Sequence, residues 1–401
     1  MRMTTNWTGI FFGFAIAVLA AFHQFKLPPV LPEMTGLYGY DTILAGGFMS
    51  IYAVAGFLLA APFGNRMQRH GTLPFIYLAL ALFLLGTLVT QLFPENGTVV
   101  LTARGIEGIA ACILSISGPA LATQHASARD QHLAAAITAT WVPLGAIMGA
   151  GLAFASGTAG FDPKWSPIWS FSLVLTVLLA LLTAWYRKSE RVEFNLPKPA
   201  RRAEGDHDPW DVAKNRLLMR LTATVFLFWA WQNLAFMTWM PSYLVSALDL
   251  SQDRAALVFL LPITFIGIFN LLAVPLLRTG LSITGLMVLA VTGQLTMLLL
   301  MPVVGTGVVG LFCLIVYGAC AGITPTCLFN LPGSIFANRG GTRAFGWLIT
   351  GRNFGVFCGP LSAAAIVDLT GSWQAVPWLV TAIMAVSVLL SVSLHILHRP
   401  K

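Results

Sequence analysis

Charge is scarce in this sequence. Only 9% of its 401 residues are Asp, Glu, Lys or Arg, whereas 57% are hydrophobic. About a quarter of the residues in a typical soluble domain are charged, so this chain cannot present an ordinary water-exposed surface along most of its length. The composition excludes a soluble globular protein and predicts that lipid surrounds most of the molecule.

The chain also has few residues for disulfides, metal sites or catalysis. Its five cysteines all fall within apolar runs, and Cys313, Cys320 and Cys327 recur every seven positions. This stripe indicates small residues for helix packing, with a metal role as the alternative. No phosphate-binding Gly-rich loop and no Ser/His/Asp set is present. We therefore expect no cofactor, no metal ion and no enzyme activity.

The sequence has instead twelve long apolar runs. A helix needs roughly 20 apolar residues to cross the hydrocarbon core of a bilayer. The runs are apolar on every face, whereas strands of a membrane β-barrel alternate apolar and polar residues. We therefore predict an all-α polytopic membrane protein. Its predicted spans are 7–27, 42–63, 73–93, 99–121, 134–156, 166–186, 221–245, 255–277, 283–304, 307–331, 344–367 and 374–397.

The basic residues are divided unevenly between the segments that connect the spans. With a cytoplasmic N-terminus, 18 Lys and Arg fall on the cytoplasmic side and two, Lys164 and Arg254, on the external side. Positive charge is concentrated in cytoplasmic segments of membrane proteins. We expect both termini in the cytoplasm of a bacterial inner (plasma) membrane, a first span that is a retained helix, and no binding to nucleic acid.

One long charged segment, 187–220, interrupts the apolar runs near the middle of the chain. Its prolines and its Glu-Gly-Asp-His-Asp run are typical of a polar linker. We predict an N-terminal six-helix bundle at 1–186, a cytoplasmic linker at 187–220 and a C-terminal six-helix bundle at 221–401. The two bundles are predicted to be repeats. Three residues of the fifth span recur in the eleventh span, each 210 positions later. Thr140, Gly145 and Gly149 correspond to Thr350, Gly355 and Gly359.

Short motifs lie in and beside the spans. Residues 61–70 read Ala-Pro-Phe-Gly-Asn-Arg-Met-Gln-Arg-His, and the fourth span contains the run Arg104-Gly-Ile-Glu-Gly. The fifth span contains Gly145-Ala-Ile-Met-Gly, and the eleventh contains Gly355-Val-Phe-Cys-Gly. In these motifs, and over essentially its whole length, the chain resembles the major facilitator superfamily.

The resemblance implies two pseudo-symmetric bundles that work by alternating access, with the first, fourth, seventh and tenth helices lining the pathway. It implies cytoplasmic gating by the first motif, in which Arg66 and Arg69 match and Asn65 stands at the acidic position. The glycines of the other motifs, Gly108, Gly145, Gly149, Gly355 and Gly359, imply helices that slide against one another; packing alone is the alternative. A weaker likeness, through residues 239–244, is to permeases for cyanate, nitrate and organic anions.

Three cations and one acid lie inside or at the edge of the spans. Each costs about 2.5–3.5 kcal/mol at the bilayer centre, so such residues find partners or mark a transport pathway. Arg104 and Glu107 are three positions apart and can pair, which would leave Lys26 and Arg352 without an intramembrane acid. We predict that Lys26, Arg352 and Arg104 bind an anionic substrate. The alternatives are snorkelling for Lys26, a backbone tie for Arg352, and a structural or gating role for Arg104.

Two of the residues in the spans could carry a proton. His23 lies three positions before Lys26 and titrates near neutral pH in water, and Glu107 is an acid within a span. Proton release from either residue would couple transport to the proton gradient. The alternatives are that His23 only bridges helices and that Glu107 only pairs with Arg104.

Polar residues of the seventh and tenth spans are further candidates for substrate contacts. They are Gln232 and Asn233 in the seventh span, and Tyr317 and Asn330 in the tenth. The tenth span also contains Pro325, where freed carbonyls could meet a ligand. Hydrogen bonding between helices is the alternative for each.

Together these patterns predict a monomeric secondary transporter for a small, organic acid-like anion, with proton coupling. A multidrug or lipophilic-compound exporter of the same fold is the alternative. The aromatic seventh span is compatible with it, and the excess of buried positive charge disfavours it. A membrane-embedded enzyme or receptor is a second alternative, and the sequence shows no polar catalytic constellation to support it.

Overall fold

Helices form nearly all of the chain that the structure describes. The structure, a computed structural model, describes residues 4–127, 129–195, 212–278, 281–305, 307–336 and 341–398. Within these ranges there are fourteen α-helices, a 3-10 turn at Pro28–Val30 and no β-strand. The all-α class predicted from the sequence is confirmed. The helices are α1 (Trp7–Phe25), α2 (Leu31–Tyr38), α3 (Thr42–His70), α4 (Leu73–Leu92), α5 (Gly97–His125), α6 (Gln131–Ala139), α7 (Trp141–Thr158), α8 (Trp165–Lys188), α9 (Ala213–Ser246), α10 (Gln252–Arg278), α11 (Ile283–Val304), α12 (Val308–Ile335), α13 (Gly341–Thr370) and α14 (Ala375–His398).

Twelve of these helices have at least 18 residues, one for each predicted span. Eleven segments of the described chain are apolar enough to cross a membrane, and the first of them runs from Trp7 to Tyr38 through α1, the 3-10 turn and α2. Of the twelve long helices, α9 is the one that is not among these eleven segments, and it is 34 residues long. Its charged first turns and its adjacent Gln232 and Asn233 give it less apolar character than the other long helices.

Two prolines divide the first apolar segment, Trp7 to Tyr38. Proline has no backbone N–H and cannot continue the hydrogen-bond ladder of an α-helix. Accordingly α1 ends at Phe25, and Pro28 and Pro29 begin the 3-10 turn that leads into α2. Pro28 cannot donate to the carbonyl of Gln24, four residues earlier, so that carbonyl needs a partner from another helix.

The chain divides into two compact units, one comprising residues 1–198 and 240–260, and the other 199–239 and 261–401. Residues 213–220 of the predicted linker are helical, because α9 begins at Ala213, and α8 continues to Lys188. Residues 196–211 of that linker lie outside the described residues. The predicted boundaries of the two bundles therefore stay a prediction.

The repeated glycines pack against equivalent helices in the two units. A Cβ atom on Gly145 would lie 2.5 Å from the backbone nitrogen of Phe22 in α1, and one on Gly149 would lie 2.6 Å from the carbonyl oxygen of Phe25. In the second unit Cβ atoms on Gly355 and Gly359 would lie 2.1 and 2.6 Å from carbonyl oxygens of α9, those of Leu227 and Trp231. Any side chain at these positions would collide with a neighbouring backbone.

A second pair of close contacts follows the same offset of 210. A Cβ atom on Gly108 of α5 would lie 2.6 Å from the carbonyl oxygen of Tyr52 in α3. In the other unit a Cβ atom on Gly318 of α12 would lie 2.3 Å from the carbonyl oxygen of Pro262 in α10. Tyr52 and Pro262 differ in residue number by 210, and so do Gly108 and Gly318. The repeat therefore extends beyond the glycine pairs recognised from the sequence.

Candidate functional site

Four ionisable side chains meet inside the first unit, and we name them the ionic cluster. They are His23 and Lys26 of α1 and Arg104 and Glu107 of α5, and all four are fully buried. Hydroxyl groups of α4 and α8 complete the surroundings of the cluster. The sequence placed each of the four in a span, and the structure brings them into direct contact.

The carboxylate of Glu107 is the centre of the cluster. Its Oε1 atom accepts hydrogen bonds from Nζ of Lys26 at 2.9 Å and from Oγ1 of Thr87 at 2.8 Å, and its Oε2 atom accepts one from Arg104. The close approach of α4 depends on Gly86, because a Cβ atom there would lie 2.7 Å from Cγ of Glu107. The predicted pairing of Arg104 with Glu107 is confirmed.

Arg104 has no donor left for a substrate. A guanidinium group has five N–H donors, and each has an acceptor in this structure. Two of these bonds hold the end of α1, including the carbonyl of Gln24 that Pro28 leaves without a partner. We therefore do not include Arg104 in the substrate site that we propose below. The five acceptors are the carbonyl oxygens of His23, Gln24 and Phe48, the carboxylate of Glu107 and the sulfur of Met49.

Lys26 differs most from the expectation. We predicted that it lacks an intramembrane acid, and this is wrong, because its ammonium forms an ion pair with Glu107. It does not snorkel either, since the side chain is fully buried. Its Nζ atom also lies 3.2 Å from Oγ1 of Thr87, 3.2 Å from Oγ of Ser172, and 4.6 Å from the ring centre of Trp169. These contacts leave Lys26 without an open face for a substrate anion.

The hydrogen bonds of His23 define which ring nitrogen carries a proton. Oγ1 of Thr176 donates to the carbonyl of Ser172, so it accepts from Nε2–H of His23 at 3.1 Å. The other nitrogen, Nδ1, lies 3.2 Å from Nζ of Lys26 and 3.3 Å from Oε1 of Glu107. A neutral ring accepts at Nδ1 from Lys26, whereas an imidazolium would donate from Nδ1 to Glu107.

The cluster contains more positive than negative charge. Lys26 and Arg104 contribute two positive charges and Glu107 one negative charge, so with a neutral His23 the buried sum is +1. Buried ions are costly unless they are paired and hydrogen-bonded. Sequence reasoning missed the hydroxyl groups and the indole that surround these ions, because no pattern in the sequence distinguishes them from other polar and aromatic residues of the same helices. They are Thr87, Trp169, Ser172 and Thr176.

Three predicted substrate contacts meet in the second unit, and we name them the amide–tyrosine group. The side-chain amides of Gln232 and Asn233 in α9 donate to the hydroxyl of Tyr317 in α12, at 2.9 and 3.4 Å. The ring of Phe236 lies 4.3 Å from the ring of Tyr317, measured between centroids. All of these side chains are buried.

The amide–tyrosine group stands at the repeat position of the ionic cluster. His23 contacts Glu107 in the first unit, and Asn233 contacts Tyr317 in the second. The second unit thus repeats the arrangement with neutral groups in place of ions. With the offset of 210, His23, Lys26 and Glu107 correspond to Asn233, Phe236 and Tyr317.

Arg352 lies in the apolar segment of α13 that runs from Trp347 to Thr370. Its side chain is partly exposed. Nη1 donates to Oδ1 of the neighbouring Asn353 at 2.9 Å. No ion pair of Arg352 occurs among the described residues. This cation therefore keeps donors that a ligand could reach.

The remaining candidates have simpler surroundings. Asn330 donates to the carbonyl of Thr326 in its own helix and does not join the amide–tyrosine group. Asn65, Arg66 and Arg69 are exposed near the end of α3, and their gating role stays a prediction. In the part of the chain that is described, no group of three or more His, Cys, Asp or Glu could hold a metal ion.

Replacing Tyr317 with Phe is expected to destabilise the second unit by about 1–3 kcal/mol, because the buried amides of Gln232 and Asn233 lose their acceptor. The apparent melting temperature of the purified protein measures this loss. Tyr243→Phe is the matched control, since the Tyr243 hydroxyl makes no hydrogen bond with a described residue and its loss should have little effect. Equal melting temperatures for the two variants would contradict the prediction.

Comparison with protein families identifies the family of this chain. The family model for the Major Facilitator Superfamily matches residues 10–342, which include the ionic cluster and the amide–tyrosine group. No curated protein matches the chain. Because the match extends over most of the sequence and agrees with the twelve long helices, the chain belongs to the Major Facilitator Superfamily and is a multi-pass membrane transporter.

Proposed function

We propose that this transporter moves a small, organic acid-like anion across the membrane by alternating access, coupled to protons. The observation that carries the proposal is Arg352, a partly exposed cation in an apolar helix whose hydrogen-bond partner among the described residues is a neutral amide. A cation in a span is retained at a cost of a few kcal/mol. An anionic ligand would supply the charge that this site lacks.

The chemistry of Arg352 suits a carboxylate. Its planar guanidinium can donate two parallel hydrogen bonds to the two oxygens of one carboxylate group. One of its terminal nitrogens is already oriented by Asn353, and fixing the group in advance reduces the entropy lost on binding. Arg104 provides the contrast within the same chain, because all of its donors have acceptors.

The amide–tyrosine group supports a polar substrate. Its amides and hydroxyl belong to the same unit as Arg352, and neutral donors of this kind give a binding site its orientation and selectivity. Asn330 is the further candidate on α12. Proton coupling is supported by the ionic cluster, which contains three groups that can exchange protons at buried positions.

A thermal-shift screen of the detergent-purified protein tests the proposal. The probes are acetate, succinate, nitrate and phosphate, with tetraphenylphosphonium as the lipophilic cation. A ligand that binds the folded state raises the apparent melting temperature. We expect stabilisation by at least one anion and a roughly tenfold to hundredfold weaker affinity in Arg352→Gln, which corresponds to a charged hydrogen bond worth about 1.5–3 kcal/mol.

Arg352→Lys is the matched control, because it keeps the charge and loses the planar fork. An anion affinity in this variant that lies between that of the natural protein and that of Arg352→Gln would support recognition through charge and geometry together. Full anion binding by Arg352→Gln would contradict the anion site. Stabilisation by tetraphenylphosphonium alone would favour the exporter of lipophilic compounds.

A further inference from the structure

We propose that Lys26, and not Glu107 or His23 alone, holds the proton that the ionic cluster exchanges during transport. The inference rests on the proposed proton coupling and names the residue that performs it. It follows from the charge that is buried in the cluster and from the direction of each hydrogen bond around Glu107. The sequence alone had pointed to the acid and to the imidazole.

Protonation of Glu107 would make the cluster less favourable in two ways. It would remove the single negative charge and raise the buried sum from +1 to +2, with Lys26 and Arg104 both positive. It would also place a hydroxyl hydrogen on a carboxylate to which Lys26, Thr87 and Arg104 already donate. A carboxylate that accepts several donors is held in its ionised form.

Deprotonation of Lys26 has the opposite effect on the buried charge. The ammonium becomes a neutral amine, one proton leaves the cluster, and the sum falls from +1 to 0. The remaining two N–H donors of the amine can still bond to Glu107 and Ser172. Both protonation states of Lys26 therefore have hydrogen-bond partners, which is the requirement for a group that must exist in both.

His23 provides the first acceptor for that proton. Its Nδ1 atom lies 3.2 Å from Nζ of Lys26 and carries a lone pair when the ring is neutral, since the proton is on Nε2. Transfer of the proton from Nζ to Nδ1 would produce an imidazolium and an amine, with no change in total charge. The imidazolium could donate to Glu107, 3.3 Å away, before the proton leaves.

No other ionisable group faces Lys26 among the described residues. On α1 the neighbour is His23, and on α5 the neighbours are Glu107 and Arg104. The contacts from α4 and α8 are hydroxyls and an aromatic ring, and α7 has no ionisable residue along its length. On α3 Tyr52 contacts the cluster through its ring, which lies under Arg104, and its hydroxyl donates to the backbone carbonyl of Ala20.

The test uses two variants of the full chain in proteoliposomes, with acetate, succinate, nitrate and phosphate as probes and an imposed pH gradient. Lys26→Arg keeps the positive charge but cannot release a proton. Lys26→Met is neutral at every pH and conserves much of the side-chain volume. We expect both variants to lose accumulation driven by the pH gradient while they retain anion-for-anion exchange. Lys164→Arg, the same change at a partly exposed lysine, should accumulate the anion as the natural protein does.

The outcomes separate this inference from the proposed function. Accumulation retained in both Lys26 variants would overturn the role of Lys26 and leave anion transport intact. If the natural protein moves none of the four anions, the proposed function fails, and the inference fails with it. Anion movement by the natural protein without proton movement would overturn the inference and the coupling, and would leave the anion site standing.

An infrared difference spectrum between acid and alkaline buffer tests the same point without any substrate. Protonation of Glu107 would produce a carboxyl C=O band that is absent from the double variant Lys26→Met, Glu107→Gln. This double variant keeps the buried charge at +1 through Arg104, so it is the appropriate reference. We expect identical carboxyl regions in the two spectra, and a band specific to Glu107 would overturn the assignment to Lys26.

Discussion

Replacing Glu107 with Gln is expected to destabilise the folded protein by about 3–5 kcal/mol, the cost of removing one partner from a buried ion pair. Gln has nearly the same shape, so the packing of α5 is conserved. It leaves Lys26 and Arg104 fully buried with no acid between them, and the buried charge rises from +1 to +2. Chemical or thermal unfolding of the detergent-purified protein, followed by tryptophan fluorescence, measures the loss.

Two further variants separate charge from hydrogen bonding. Thr87→Val removes a neutral donor to the same Oε1 atom of Glu107 and should cost only about 1 kcal/mol. Adding Lys26→Met to Glu107→Gln returns the buried charge to +1, and we expect this double variant to recover part of the lost stability. If Glu107→Gln is no less stable than Thr87→Val, the ion pairs do not hold the cluster together.

The parts of this cluster that the sequence predicted are those that depend on helix geometry alone. Arg104 and Glu107 lie on one face of one helix because they are three positions apart, whatever the remainder of the fold does. Lys26 is separated from Glu107 by 81 positions, and their contact depends on how α1 packs against α5. No local pattern specifies that packing, so the sequence left Lys26 without its partner.

The fold was more predictable than the site because hydrophobic runs report directly on helices that cross a membrane. Each predicted span corresponds to one long helix. The helix ends were less predictable, since apolar runs mark only the lipid-facing length and α9 begins eight residues before its run, at Ala213. The offset of 210 also indicated repeats and makes Glu107 equivalent to Tyr317, but it could not indicate that Glu107 contacts His23 and that Tyr317 contacts Asn233.

The second large effect is expected at the helix contact beside Lys26. Gly149→Ala should destabilise the protein by about 1–3 kcal/mol, the usual cost of overpacking. The added Cβ atom would lie 2.6 Å from the carbonyl oxygen of Phe25 and 3.1 Å from the Cα atom of Lys26. Because both are backbone atoms, no side-chain rotation relieves the collision, and α7 must move away from α1. Thermal unfolding measures the effect.

The same helix offers a matched control. A Cβ atom on Gly151 would have no neighbour within 4 Å, so Gly151→Ala should be neutral or stabilising by up to about 1 kcal/mol, the helix preference of Ala over Gly. In the second unit Gly359→Ala should repeat the loss, since its Cβ atom would lie 2.6 Å from the carbonyl oxygen of Trp231 in α9. Equal stability of the Gly149 and Gly151 variants would mean that α7 can separate from α1 at no cost. A loss at Gly149 and at Gly359 would show that both repeats need the same close helix contact, one beside an ion and the other in neutral surroundings.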